Sequence, residues 1–488
     1  VHARQCRRAW RFVAAAIGAA VSVWATFHVA PSHAATPTIE PLTLSVGQFE
    51  LTDTDYTAAT NHLYSTVLTN HANLPQVTTT AITTNSSGAT DLWLNLRSMR
   101  TCSSLESKAL PPVTTKQAWC WSTAYRDHNT YHWFPQGISS TGEADSADGA
   151  LGPVTALAIS WHYQTQPGEV SGGCKTNGML KITFIDRNTM QYRHVLLVAP
   201  TSTSSTASDF GLVTGHGGGI AWYDHYIYVT DTHGGIRVFD ISKMAKVTQY
   251  GSGVSTIGVS GTSTSACGYA YVLPQTHYYS QPATSCPTTG PTDASRLCYS
   301  WISLDKFSGT PYKLVVGEFY GGADSRIVRY LMNPASASTD PSLLATSAGK
   351  TIVHDAYTTS GYYGIQGGVS WTESSTLHFA LNTDCAKAPA VFSHTWVGDT
   401  RNPSVCADGG NWGAGPPEDM SYWPQLGSTA VRELWGLGEG VCRSPSDPLY
   451  EPPANPLNAC NGYTGSDTGS LRTVYAVGMT DPDVLDLH

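Results

Sequence analysis

Four polar residues stand just ahead of apolar, glycine-marked segments that are far apart in the sequence. They are Gln136 in Phe134-Pro135-Gln136-Gly137-Ile138, His216 ahead of Gly217-Gly218-Gly219-Ile220, Gln366 in Gln366-Gly367-Gly368-Val369, and Glu418 in Pro417-Glu418-Asp419-Met420. Two amide oxygens, an imidazole and a carboxylate form an oxygen-rich ligand set for a divalent cation, calcium among them. The same groups serve equally to hydrogen-bond water and strand ends. Carboxylates offer a second chemistry: Glu418 and Asp419, with Asp231 and Glu318, supply the paired acids of glycoside hydrolysis, while His216 would be the base of a lyase. Aromatic residues offer a third. Trp119, Trp121, Tyr131, His132 and Trp133 crowd one segment and Tyr271, His277, Tyr278 and Tyr279 another, and sugar rings stack on such side chains. The candidate catalytic residues are therefore Glu418, Asp419, His216 and Asp231, and the candidate substrate contacts Gln136, Gln366, Trp133 and Tyr299. Ligand binding at His216 is expected to weaken as the imidazole protonates near its ordinary value of about 6.5.

These residues meet only if the fold brings them together. From Trp133 onward, short alternating strands are separated by Gly, Pro, Ser, Thr and Asn clusters, with hardly a stretch at helical period. Strand groups begin near Trp133, Gly218, Tyr299, Gln366 and Glu418, each with three or four strands behind it. Five such units predict an all-β chain, a five-bladed β-propeller whose first strands line a central channel. A β-sandwich with long insertions is the rival arrangement. His225 and His233 fall in successive turns, which places them at opposite ends of the second unit. Gly215-His216-Gly217-Gly218-Gly219 lacks the Lys-Ser/Thr of a phosphate loop and precedes a strand, so it reads as a turn.

The phrases Phe134-Pro135-Gln136-Gly137-Ile138, Tyr192-Arg193-His194-Val195-Leu196-Leu197-Val198, Gly218-Gly219-Ile220-Ala221-Trp222 and Pro417-Glu418-Asp419-Met420-Ser421-Tyr422 resemble those of secreted β-propeller proteins of actinobacteria. The second unit, through Gly235-Ile236-Arg237-Val238-Phe239-Asp240, is similar to the LVIVD-type propeller repeat. The resemblance covers roughly residues 119 to 478 and implies a fold and an export route. It assigns no reaction.

The remaining features concern location. Arg4, Arg7, Arg8 and Arg11 precede an apolar run from Phe12 to about Ala30 that ends at Pro31-Ser32-His33-Ala34, the pattern of an export signal cleaved after Ala34 or Ala35. Ten cysteines follow it, an even number that implies disulfides in an oxidising compartment. Short-loop closure predicts Cys102–Cys120, Cys286–Cys298, Cys385–Cys406 and Cys442–Cys460, leaving Cys174 for Cys267. A formal charge of -9 without a basic block argues against nucleic acid and anionic membrane as partners. The chain therefore divides into a signal over 1–34, an N-terminal extension over 35–130 with a short helix around Asp55 to Leu68, and the propeller over 131–488. The expected function is that of a secreted, monomeric protein that acts on or binds extracellular polysaccharide at the channel mouth. The alternatives are a non-catalytic module for protein or cell wall, and a metal-dependent phosphatase or lactonase.

Overall fold

Strands make up 47% of the chain and helices 9%, which sets the class as all-β. The computed structural model describes residues 38–478 apart from 105, 111–114, 145–154, 167, 288, 321–323, 336–339, 361–363, 374, 385–392, 399–416, 424–432, 439–440, 443–468 and 471. The longer strands can be followed in chain order as five antiparallel runs, numbered here as sheets although the first two belong to one fourteen-stranded sheet, and two further two-stranded ladders pair Ile257–Ser260 with Ser263–Ala266 and Val441–Cys442 with Gly469–Ser470. Sheet one holds Trp133–Ser140, Ala156–Tyr163, Leu180–Asp186 and Gln191–Pro200. Sheet two holds Ile220–Tyr223, Tyr226–Asp231, Gly235–Asp240 and Tyr271–Ser280. Sheet three holds Trp301–Asp305, Lys313–Gly317, Ser325–Leu331 and Val353–Ser360. Sheet four holds Ile365–Glu373, Thr376–Asp384 and Ser393–Gly398. Sheet five holds Pro417–Trp423, Glu433–Gly438 and Thr473–Gly478, and the earlier strand Thr115–Cys120 completes it. A parallel pairing of Val272 with Leu196 joins the outer strands of sheets one and two, so this larger sheet curls nearly closed, its two end strands lying against each other.

Alternation along the strands explains the stacking. In sheet two Ile220, Trp222, Ile227 and Val229 enter one core with Ala156, Ala158, Leu180 and Ile182 of sheet one. Their neighbours Ala221, Tyr226 and Tyr228 enter a second core with Ile302, Leu314 and Val316 of sheet three. Further cores lie between sheets three and four (Val315, Ile327, Phe379, Leu381), four and five (Val369, Trp371, Met420, Leu434), and five and one (Trp435, Leu437, Leu157, Trp161). With both faces buried, the strands read as nearly continuous apolar runs, and each large side chain so buried contributes about 1.5–3 kcal/mol. The first strands of the five sheets touch in a circuit, one to two through to five, and five back to one.

The contact between first strands is backbone against backbone. A Cβ on Gly137 would stand 2.6 Å from the Ile220 amide nitrogen, and one on Gly367 would stand 2.6 Å from Asp419 Cα, so only glycine permits the approach at either place.

The expected N-terminal extension is distributed over the sheets. Thr38–Pro41 edges sheet three, Thr52–Asp55 edges sheet two, and Thr115–Cys120 closes sheet five. Its helix spans Thr57–Thr66 and buries Ala59, Thr60 and Leu63. Cys102–Cys120, Cys174–Cys267 and Cys286–Cys298 are bonded as spacing predicted. The other two expected pairs, Cys385–Cys406 and Cys442–Cys460, lie outside the residues whose side chains are described. The aromatic run Tyr271 to Tyr279 is a strand rather than a stacking surface: it supplies the outer strand of sheet two, with Tyr271 and Tyr279 buried. Trp121 is likewise core.

Candidate functional site

Three of the four expected ring residues occupy equivalent positions. Irregularities in register fall between Pro135 and Ile138, Ile365 and Gly367, and Pro417 and Met420, so Gln136, Gln366 and the pair Glu418-Asp419 sit at bulges near the start of their first strands. Gln136 is buried and its amide donates to the Pro135 carbonyl at 3.0 Å, while the Glu418 carbonyl accepts from Asn382 at 2.8 Å. His216 turns instead to sheet one and stacks on His162, ring centroids 4.4 Å apart. Tyr299 lies wholly in the core, its hydroxyl 2.9 Å from that of Tyr330, because an apolar ring at the entry to sheet three packs against sheet two. Among the described residues, no three His, Cys, Asp or Glu side chains converge as metal ligands.

Two buried carboxylates tie the first strands together. Asp419 Oδ2 accepts the Ile220 amide of sheet two at 3.0 Å, and Oδ1 has no hydrogen-bond partner among the described residues. Burial pushes the Asp419 carboxyl well above its ordinary value; the nearby Glu143 charge adds to this, and the Ile220, Met420 and Ile138 amides oppose it. Glu143 accepts the Leu304 amide of sheet three at 2.7 Å, the Ser421 hydroxyl of sheet five at 3.0 Å and the Ser139 hydroxyl of sheet one. Burial raises its pKa to about 7 despite these donors. Sheets three and four are joined the same way, Asp305 accepting the Ser370 hydroxyl at 2.7 Å and Arg329 at 3.1 Å.

Sequence reasoning missed Glu143. The available signal was Ser140 followed three residues later by a glutamate, a helix start inside a β chain; the short helix Thr141–Ala144 indeed begins there, with the Glu143 amide donating to Ser140 Oγ at 3.1 Å.

The sign of the Glu143 effect follows from linkage. Its folded pKa lies above the unfolded value, so between about 4.3 and 7 the native state binds more protons than the unfolded one, and stability falls as pH rises through that window. The total is at most about 4 kcal/mol. Glu143→Gln is expected to flatten this slope, since Ser139 and Ser421 hydroxyls can turn to accept from an amide. Urea unfolding of parent and variant at pH 5 and pH 7.5 checks it; an equal slope in both would refute the assignment to Glu143.

The open space lies between sheets one and two. A cleft of about 500 Å³ is lined by His162, Gln164, Asn177, His216, Asp231 and His233, among others. His162 closes the second strand of sheet one, and its Nδ1 is buried without a hydrogen-bond partner among the described residues. Burial, the neighbouring His216 and Arg472 hold its pKa well below the ordinary range. His216 is exposed at the cleft wall, and the protein packed around it, with His233 adding a like charge, lowers its pKa to about 4. Both rings are neutral at physiological pH, in place of the ordinary titration expected for His216. Asp231 is committed to Arg237 at 2.8 Å and to the Tyr278 hydroxyl at 2.9 Å, with the guanidinium over the Tyr278 ring. Glu318 is committed likewise, to Arg326 at 2.7 Å and to the Cys298 amide at 3.0 Å. His225 stands apart in its turn, 3.2 Å from Asp224 and 3.6 Å from Asp340.

Trp133 lines a different cleft, of about 390 Å³, between sheet one and the segment that runs from Trp121 to His132. Behind it Asp127 accepts Arg97 through both oxygens at 2.7 Å, the Tyr192 hydroxyl at 2.7 Å and His194 at 3.2 Å. No local pattern signals this network, because its members come from three separate segments. Compared with known proteins, the chain matches no family model and no curated sequence.

Proposed function

We propose that the chain is an exported five-bladed β-propeller that recognises extracellular polysaccharide in the cleft between its first two blades. The five sheets, whose first strands touch in a circuit, support the blade count, as does completion of the last sheet by a strand from the N-terminal part. The disulfides and the N-terminal apolar segment support export, and no described helix is long and apolar enough to cross a membrane. The resemblance to secreted actinobacterial propellers belongs with this reading.

The observation that carries the ligand class is the neutral, stacked His162–His216 pair beside Gln164 and Asn177 in a space of about 500 Å³. Such a cleft offers hydrogen-bonding groups and flat rings without net charge, which matches the hydroxyl edges and apolar faces of sugars. Recognition fits better than hydrolysis. Of the candidate carboxylates, Asp419 is engaged in holding strands and Asp231 in an internal ion pair, and Glu418 is buried and does not line this cleft.

The test is retention on a panel of insoluble plant, fungal and bacterial polysaccharides. The parent is expected to bind at least one, and His216→Ala to weaken binding about tenfold, the loss of one hydrogen-bonding and stacking partner. Retention should hold between pH 5 and 8 and fall only near pH 4, where His216 takes a proton. Absence of binding to every member, or binding indifferent to His216→Ala, would reject the cleft as the site. New reducing ends or unsaturated products that vanish in the variant would replace recognition by catalysis.

A further inference from the structure

We propose that Lys181 is a reactive amine that captures small aldehydes or ketones as imines in the cleft lined by Trp133, a site separate from the glycan cleft. Lys181 begins the third strand of sheet one, opposite Trp161 and Leu196, and is 2% exposed. It lines the 390 Å³ cleft together with Trp93, Tyr125, His132, Trp133 and Tyr269. Its Nζ stands 4.2 Å from the centre of the Trp133 ring, 4.9 Å from Trp161 and 5.8 Å from Tyr269. Among the described residues this nitrogen makes no hydrogen bond and no ion pair.

That is an unusual condition for a buried lysine, since burial ordinarily goes with a carboxylate or carbonyl partner. Other enclosed lysines of this chain follow the rule. Lys313 donates to the Ser308 and Gly309 carbonyls at 2.9 and 3.0 Å, and Lys306 donates to the Glu143 carbonyl at 2.9 Å. The carboxylate nearest in kind, Asp127, is spent on Arg97, Tyr192 and His194. Electrostatics agrees with the geometry: burial, then Arg97 and Arg472, push the ammonium well below its ordinary range, and Asp127 opposes them. The aromatic rings favour the charged form and offset part of this. What remains is a free amine at the wall of an open, aromatic-sided space, the condition under which lysine becomes a nucleophile toward carbonyl carbon.

The step balances without a further reactant. The Nζ lone pair attacks the carbonyl carbon, an amine proton passes to the carbonyl oxygen, and the carbinolamine loses water, carrying the second amine proton, to leave C=N between ligand and lysine. Trp133 and Tyr269 then flank the planar product.

The probe is glyceraldehyde with cyanoborohydride, applied to the folded full chain at pH 7, with adducts mapped by peptide mass spectrometry over its ten lysines. Lys181 is expected to be modified at least about tenfold faster than any other. Its rate should fall less steeply from pH 9 to pH 7 than that of exposed lysines, which slow about tenfold per pH unit as they protonate. Lys181→Met should abolish the fast adduct with thermal unfolding unchanged. Lys181→Arg, which keeps the cation in the aromatic setting and cannot form the imine, serves if the methionine variant does not fold. An unmodified Lys181 that reacts only after unfolding, or one no faster than the exposed lysines, overturns the proposal.

Discussion

Asp127→Ala is expected to destabilise the protein by about 3–5 kcal/mol, the range for removing one member of a buried ion pair. Arg97 would lose both carboxylate contacts and keep only the Trp93 carbonyl at 3.2 Å, while 95% buried. Tyr192 and His194 would lose their partner at the same time. Burial brings the His194 pKa down to about 3, so the neutral ring donates through Nε2 to Asp127 at 3.2 Å and accepts the Thr183 hydroxyl at Nδ1, 2.6 Å away. Asp127→Asn keeps the shape and removes the charge, and should cost less, about 2 kcal/mol. Urea midpoints at constant m-value measure both; a loss under 1 kcal/mol for the alanine variant would show that water reaches the guanidinium.

Acid should reproduce the effect. Burial alone would raise the Asp127 carboxyl, but Arg97 and then His194 more than offset it and hold the group far below the usual carboxylate range. Its contribution is thus present above the ordinary value of about 4 and is lost as pH falls toward its folded value.

Removal of the Cys174–Cys267 bridge by paired serine substitution should cost about 4.7 kcal/mol, because the loop it closes spans 93 residues. Cys286–Cys298 closes 12 and should cost about 3 kcal/mol by the same relation. The longer bridge ties the loop after the second strand of sheet one, which carries Gln164 and Asn177, to the segment before Tyr271–Ser280 of sheet two. Glycan retention should therefore suffer with the longer bridge and not with the shorter. Paired denaturation curves decide the order; equal losses would mean that the unfolded chain keeps residues 174 and 267 close without the bond.

Local pattern made much of this fold readable. Apolar and aromatic starts placed strand groups near Trp133, Gly218, Tyr299, Gln366 and Glu418, where first strands begin at Trp133, Ile220, Trp301, Ile365 and Pro417, and cysteine spacing located the three described bridges. The site was less readable, because its decisive contacts are long-range. His216 was visible, but its partner His162 lies on another sheet and resembles any strand residue. Asp127 sits in an aromatic-rich connection, and Lys181 opens a strand of ordinary composition; only the packing of sheet one against its covering segment gives either a role. Glu418 drew attention as the acid at the start of the fifth unit, whereas it is buried and its neighbour Asp419 is the acceptor that holds sheet two.

The pairing of Thr115–Cys120 with Thr473–Gly478 also sets a timetable. At about 5–20 residues per second, the second of these strands leaves the ribosome on the order of 20–70 s after the first. Throughout that interval the earlier strand waits with an open edge, the condition that invites pairing with a foreign chain. It is short, and one end is already occupied: Cys120 exchanges backbone hydrogen bonds with Arg100 at 2.8 and 3.0 Å and is bonded to Cys102. The waiting edge is thus partly covered by its own neighbours, and a chain that stopped before Thr473 would carry that edge permanently.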